Sequence, residues 1–171
     1  GSKAAAIGGF SRVCCMPNTN PRPDNPNDLK KIISLAKDRS LVTCYFFSSI
    51  TKGSLGKEVV NIPKMIEQGA IGFSDDGVGV QDAGVMKKAM LEVAKYNSII
   101  SAHCEENSLL NGGYIHDGIY AENRGHRGIS SSSESVQVAR DVLLSGETNC
   151  KYHVNHISTR ESVDMIKYGK S

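Results

Sequence analysis

No apolar run in this chain approaches the roughly 18 residues that suggest a membrane span. The start, Gly1 to Phe10, lacks the basic-then-apolar layout of a signal peptide; Lys3-Ala4-Ala5-Ala6 reads instead as the end of a helix. There is no basic block and no aromatic-plus-basic stretch. With a formal net charge of +2, little points to a nucleic acid or an anionic membrane surface. No CxxC pair occurs. The five cysteines, Cys14, Cys15, Cys44, Cys104 and Cys150, are odd in number and lie mostly in apolar stretches. They read as small buried hydrophobes in a reducing, cytoplasmic compartment rather than as a disulfide framework. Gly77-Val78-Gly79-Val80 does not complete GxGxxG, and no P-loop Lys-Ser/Thr follows, so phosphate binding is set aside. Glycine there lets backbone pass close to a site.

What is present is a rhythm. The 171 residues, 39% hydrophobic, suffice for one domain with a real core, 1–171, but not for a full eight-fold βα barrel, which takes about 250. Arg12 to Met16 is a short β-prone run closed by Pro17. Asn25 caps the next helix, with Pro26 at its first position, and Leu29, Ile32, Ile33 and Ala36 follow the spacing of one buried face. Leu41–Phe47 is a strand. A short helix around Lys64–Gln68 ends at Gly69, and Ile71–Ser74 is a third strand. Asp82 caps a helix to about Asn97 with Val85, Met86, Ala89, Met90 and Val93 inward, and Ser98–Ala102 is a fourth strand. A Gly-rich excursion, Asn111 to Ser133, is too polar for core and long for a βα loop. Ser131 with Glu134 forms a capping-box pattern for a helix burying Val136, Ala139 and Leu143. Lys151–Asn155 is a fifth strand, and Ser158 with Glu161 opens a last helix with Val163 and Ile166 inward. Strand–helix alternation without a hairpin signal predicts an α/β fold with a parallel sheet covered by helices, a partial (β/α)8 TIM-type barrel. Functional groups belong beyond the carboxyl ends of its strands.

Each of those ends but the second carries polar chemistry: Met16-Pro17-Asn18-Thr19-Asn20-Pro21, Ser74-Asp75-Asp76-Gly77, His103-Cys104-Glu105-Glu106 and His156-Ile157-Ser158-Thr159. Taken singly, a strand-end histidine is a hydrogen-bonded structural residue and Asp-Asp-Gly a turn. Together, one carboxylate and two imidazoles on one rim suit a zinc-like ion. Side chains alternate along a strand. That places Asp76 with the small Ser74 and Gly72, and Asp75 with Phe73 and Ile71 on the helix side. The same count puts His156 with Val154 and Tyr152, opposite His153. Asp76, His103 and His156 are therefore the expected ligands and His153 is structural. His116 and His126 are expected in solvent, and Glu105-Glu106 as a helix-opening acidic pair.

These motifs, with Phe73-Ser74-Asp75-Asp76-Gly77-Val78-Gly79-Val80-Gln81-Asp82-Ala83, Gly112-Gly113, Ile115-His116 and His153-Val154-Asn155-His156-Ile157-Ser158-Thr159, resemble the class I bacterial-type dihydroorotases of the amidohydrolase superfamily, almost end to end. The resemblance implies a zinc centre of one or two ions and interconversion of N-carbamoyl-L-aspartate and L-dihydroorotate in pyrimidine biosynthesis. It makes Asp76, His103 and His156 metal ligands and Asn18 a contact for the substrate carboxylate. Related hydantoinases and allantoinases usually carry a carboxylated lysine at the position of Asp76, so the aspartate favours dihydroorotase. It also implies a first-strand His-x-His-x-Arg and a last-strand acid–base aspartate. Neither pattern lies within residues 1–171, whose five strands match the second to the sixth of the barrel. On that reading no catalytic acid–base residue is in this chain, and the chain alone is inactive. The Gly125–Ser131 stretch replaces a commonly Pro-containing loop. The rival readings are another cyclic amidase and a non-catalytic scaffold that binds aspartate carbamoyltransferase. A homodimer is a further expected partner state.

Overall fold

The computed structural model describes residues 1–171. After a short helix α1 (Ser2–Ile7) come β1 (Arg12–Cys15), α2 (Pro26–Arg39), β2 (Thr43–Ser48), α3 (Ile62–Gln68), β3 (Ala70–Phe73), α4 (Ala83–Ala94) and β4 (Ile99–Ala102). The excursion follows with β5 (Ile115–His116), α5 (Ile119–Arg124) and β6 (Gly128–Ile129), and then α6 (Ser131–Thr148), β7 (Lys151–Val154) and α7 (Arg160–Lys170). β1, β2, β3, β4 and β7 pair in that order, all parallel, in one curled half-barrel sheet. No helix is long and apolar enough to cross a membrane.

Local chemistry sets most helix ends as expected. Asn25 accepts from the Asp28 N–H at 3.0 Å ahead of Pro26, Asp82 accepts from the Val85 N–H at 2.9 Å, and Gly69 ends α3 in the left-handed region. The inner faces of α2 and α4 are those the periodicity predicts: Leu29, Met86, Ala89, Met90 and Val93 are buried against Phe73 and Ile100 of the sheet. Each large side chain so buried contributes about 1.5–3 kcal/mol. The cysteines form no disulfide; Cys104 and Cys150 are buried, but Cys14 is exposed.

The last two helices differ from expectation. On α6, Val136 and Leu143 are 49% and 61% exposed, and Ser133, Gln137, Val138 and Asp141 point inward. The inner face of α6 lies over polar loop ends and over Tyr152, where buried polar groups find partners, and hydropathy periodicity does not register such pairs. The caps also shift by one residue. Ser130, not Ser131, caps α6, and Thr159, not Ser158, caps α7, accepting from the Ser162 N–H. On α7 Ile166 packs against the core as expected, but Val163 is largely exposed and Ser162 is buried in its place. The excursion is a two-stranded parallel ribbon, β5 beside β6, joined by α5.

Candidate metal centre

The end of β3 separates two adjacent aspartates. Asp75 is buried and accepts from the backbone N–H groups of Ile50 and Thr51 at 2.8 and 3.2 Å and from the Thr51 hydroxyl. Burial pushes its carboxyl up, against those hydrogen bonds. It ties β3 to the loop after β2. Asp76, in the turn after β3 and only partly buried, takes no part in that network and turns to the rim. One of its oxygens, Oδ2, accepts from Asn18 Nδ2 at 2.7 Å; the other, Oδ1, lies 3.5 Å from His156 Nε2.

His103 follows β4 directly. Its Nδ1 is 3.0 Å from His156 Nε2, and donor atoms of Asp76, His103 and His156 all lie within 4.8 Å of one another. Burial, and then the neighbouring His156, hold the His103 imidazole below its usual pKa, which keeps a nitrogen lone pair available. The three expected residues thus converge, but His156 arrives by a route that strand parity does not give. Tyr152 faces the helices, donating its hydroxyl to Asp141 Oδ2 on α6 at 2.8 Å. Continued alternation would send His156 the same way. Instead β7 ends at Val154, and His156 takes a left-handed backbone, φ 32°, that turns its ring onto the rim. His153 sits in register beside Ser101 and takes no part in the cluster.

The loops that carry the cluster are packed against each other. Gly79 has φ 62°, and a Cβ there would fall 2.8 Å from the His103 carbonyl oxygen, so the glycine is what lets the two loops touch. Glu106 caps a single turn, accepting from the Ser108 N–H and hydroxyl, in keeping with its expected helix-opening role.

Two further residues stand near the cluster, and the sequence reading missed the role of the second, Glu134. His116 is exposed, as expected, and stands at the edge of a cavity of about 200 Å³ that His103 and His156 also line. Only the parallel ribbon of the excursion brings it there. Glu134 accepts from the N–H and the hydroxyl of both Ser158 and Thr159. Burial alone would push its carboxyl up, but these hydrogen bonds, led by Ser158, hold it below the usual range. The signal was hidden by the capping-box spacing. With the cap at Ser130, Glu134 is the fourth helical residue, past the third position that a box uses. His126, the remaining excursion histidine, is half-buried, with the Tyr114 hydroxyl on its Nδ1 at 2.7 Å.

Two imidazoles and a carboxylate at this spacing fit a divalent ion of the zinc type. Comparison with known proteins agrees with this architecture. Over 170 residues the chain is 49% identical to a dihydroorotase of Staphylococcus aureus and 48% to one of Listeria monocytogenes, covering 99% of this chain and 40% of each relative. The chain therefore spans about 40% of the length of the curated relatives it matches. Among solved structures it resembles the L-hydantoinase (dihydropyrimidinase) of Arthrobacter aurescens, with TM-score 0.79 and 23% identity over 99% of this chain and 39% of that one, a likeness of fold. The family model described as dihydro-orotase-like matches residues 1–162, and the chain belongs to that family.

Proposed function

We propose that this chain is the central part of a zinc-dependent dihydroorotase, which interconverts N-carbamoyl-L-aspartate and L-dihydroorotate, and that Asp76, His103 and His156 are its metal ligands. The observation that carries the reading is the convergence of these three donors, within 4.8 Å, in a chain whose relatives at 47–49% identity are dihydroorotases. A zinc-type ion held there would polarise a carbonyl and lower the pKa of water to roughly 7. Asp76 suits this because Asn18 fixes one carboxylate oxygen and leaves the other toward His156. His103, neutral for the reasons given, offers a lone pair rather than a proton.

Asn18 is proposed to hold the substrate carboxylate. Its amide nitrogen has two N–H groups, of which one reaches Asp76. The second can donate to an anion beside the ion. The acid–base aspartate and the remaining ligands are contributed by strands other than the five present. The test is ring opening of dihydroorotate by the complete enzyme, stripped of metal and reloaded with zinc, beside hydantoin as a competing substrate. Zinc-dependent turnover of dihydroorotate supports the proposal. Turnover of hydantoin in its place assigns a different cyclic amidase, and zinc bound without turnover of either supports a scaffold.

A further inference from the structure

One helix reaches all three segments of the candidate centre. Along α6, Glu134, Gln137 and Arg140 follow one another at i, i+3 spacing and so neighbour each other on the helix surface. Glu134 binds the N–H groups of Ser158 and Thr159 at 2.9 and 3.0 Å, just past His156. Gln137 Oε1 accepts from the Glu105 N–H at 3.2 Å, two residues past His103. Arg140 donates to the carbonyls of Val80 and Gln81, both at 2.8 Å, on the loop that leaves Asp76. Its Nε is held by Asp141 at 2.7 Å, so the guanidinium fork is fixed in direction. Gln81 then joins two of the segments, donating to the Glu105 carbonyl at 2.9 Å and accepting from the Asn107 N–H at 3.0 Å.

We infer that α6 is the positioning element of the centre. On this inference, which rests on the metal reading above, Glu134, Gln137 and Arg140 are positioning residues for the His156, His103 and Asp76 segments respectively. The physical argument is one of relative placement. The three loops leave neighbouring strands of one sheet but run beyond its ladder, and a binding constellation tolerates errors of only about 0.5 Å. An 18-residue helix is a stiff rod. Bonds from one rod to all three loops fix their relative positions where the ladder no longer does. His156 needs this most, because its left-handed backbone is unfavourable for a residue with a Cβ and persists only where the surroundings impose it. This also explains why α6 turns polar residues inward where aliphatic ones stand exposed on its other side.

The test uses the complete enzyme with Co²⁺ as probe, reading its affinity by chelator competition and its visible absorption. Glu134→Gln and Arg140→Met are each expected to weaken Co²⁺ roughly 10- to 100-fold, the range for residues that orient ligands. The absorption bands should change and the helical circular dichroism should stay near that of the parent, even where loss of the Glu134 or Arg140 contacts lowers the metal-free melting point. Val136→Ala, exposed on the same helix, should bind as the parent does. If either main variant fails to fold, Ser158→Ala, which removes only a hydroxyl from the Glu134 grip, decides in its place and should weaken Co²⁺ by less. Folded variants with parental affinity and spectrum overturn the inference and leave the metal reading standing. A parent that binds no Co²⁺ overturns the metal reading, and the inference with it.

Discussion

Gly77 and Gly79 offer a paired test of how closely the Asp76 and His103 loops must approach. Both have positive φ, 86° and 62°, so alanine at either incurs left-handed backbone strain, roughly 1–2 kcal/mol. Their surroundings differ. A Cβ on Gly77 meets nothing within 4 Å, whereas one on Gly79 would sit 2.8 Å from the His103 carbonyl oxygen, a backbone atom that cannot rotate away. Overpacking of that kind adds about 1–3 kcal/mol. Gly77→Ala should therefore cost about 1–2 kcal/mol and Gly79→Ala about 2–5 kcal/mol. At a urea m-value of about 3 kcal/mol/M, the two midpoints should differ by roughly 0.3–1 M. The collision falls on His103 itself, so Gly79→Ala should also lose metal in the complete enzyme while Gly77→Ala retains it. Equal midpoints, or full metal content in Gly79→Ala, would refute the argument that these loops are held at contact distance.

Asn18→Ala in the complete enzyme, assayed at saturating zinc because Asn18 also fixes Asp76, should lower kcat/KM for dihydroorotate roughly ten- to a hundred-fold, the worth of one hydrogen bond to a charged group; unchanged kinetics counts against a substrate role. Glu134 has a depressed folded pKa, so the stability it contributes is complete above the unfolded value of about 4.3 and is lost as pH falls through the lower folded value. Melting points measured from pH 6 to 3 should show that acid loss in the parent and less of it in Glu134→Gln; identical profiles would exclude the role. Burial pushes the thiols of Cys104 and Cys150 up to about 12 and about 11. At pH 8 an alkylating reagent followed by mass spectrometry should modify exposed Cys14 and spare both until the protein is unfolded. The 171-residue chain alone, with β1 and β7 as open sheet edges, should neither turn over dihydroorotate nor hold zinc tightly, and should aggregate; turnover well above background would show that the other strands are dispensable.

Much of the architecture was legible because it is written locally. Asn25-Pro26, Asp82 and Gly69 act on their own helix ends, and the apolar spacing in α2 and α4 needs no knowledge of the partner surface. Asp76 was separable from Asp75 for a similar reason. The neighbours of Asp76 are small and those of Asp75 are large, although β3 ends at Phe73 and both aspartates are aimed by the turn that follows it. The ribbon that carries His116 was not legible, since each of its strands is two residues long and leaves almost no periodic signal.

His156 reaches the expected cluster, but the parity argument for it and the apolar-face reading of α6 both fail, for a shared physical reason. Strand parity is valid only while the strand lasts, and two residues past Val154 the direction of His156 is set by its φ of 32°. That backbone is held through Ser158 and Thr159 by Glu134, some 24 residues away in sequence. Helix periodicity is likewise valid only while the inner face meets an apolar surface. Gln137 and Asp141 face inward because a loop N–H and a tyrosine hydroxyl wait for them there. A hydropathy pattern assigns such residues to solvent and moves the buried face around to Val136 and Leu143. The error therefore carries information. Where aliphatic spacing on a helix points one way and folding turns its polar residues inward, hydrogen bonds outweigh the apolar area left in water. On α6 those bonds end on the loops that carry Asp76 and His103 and on the segment that fixes His156.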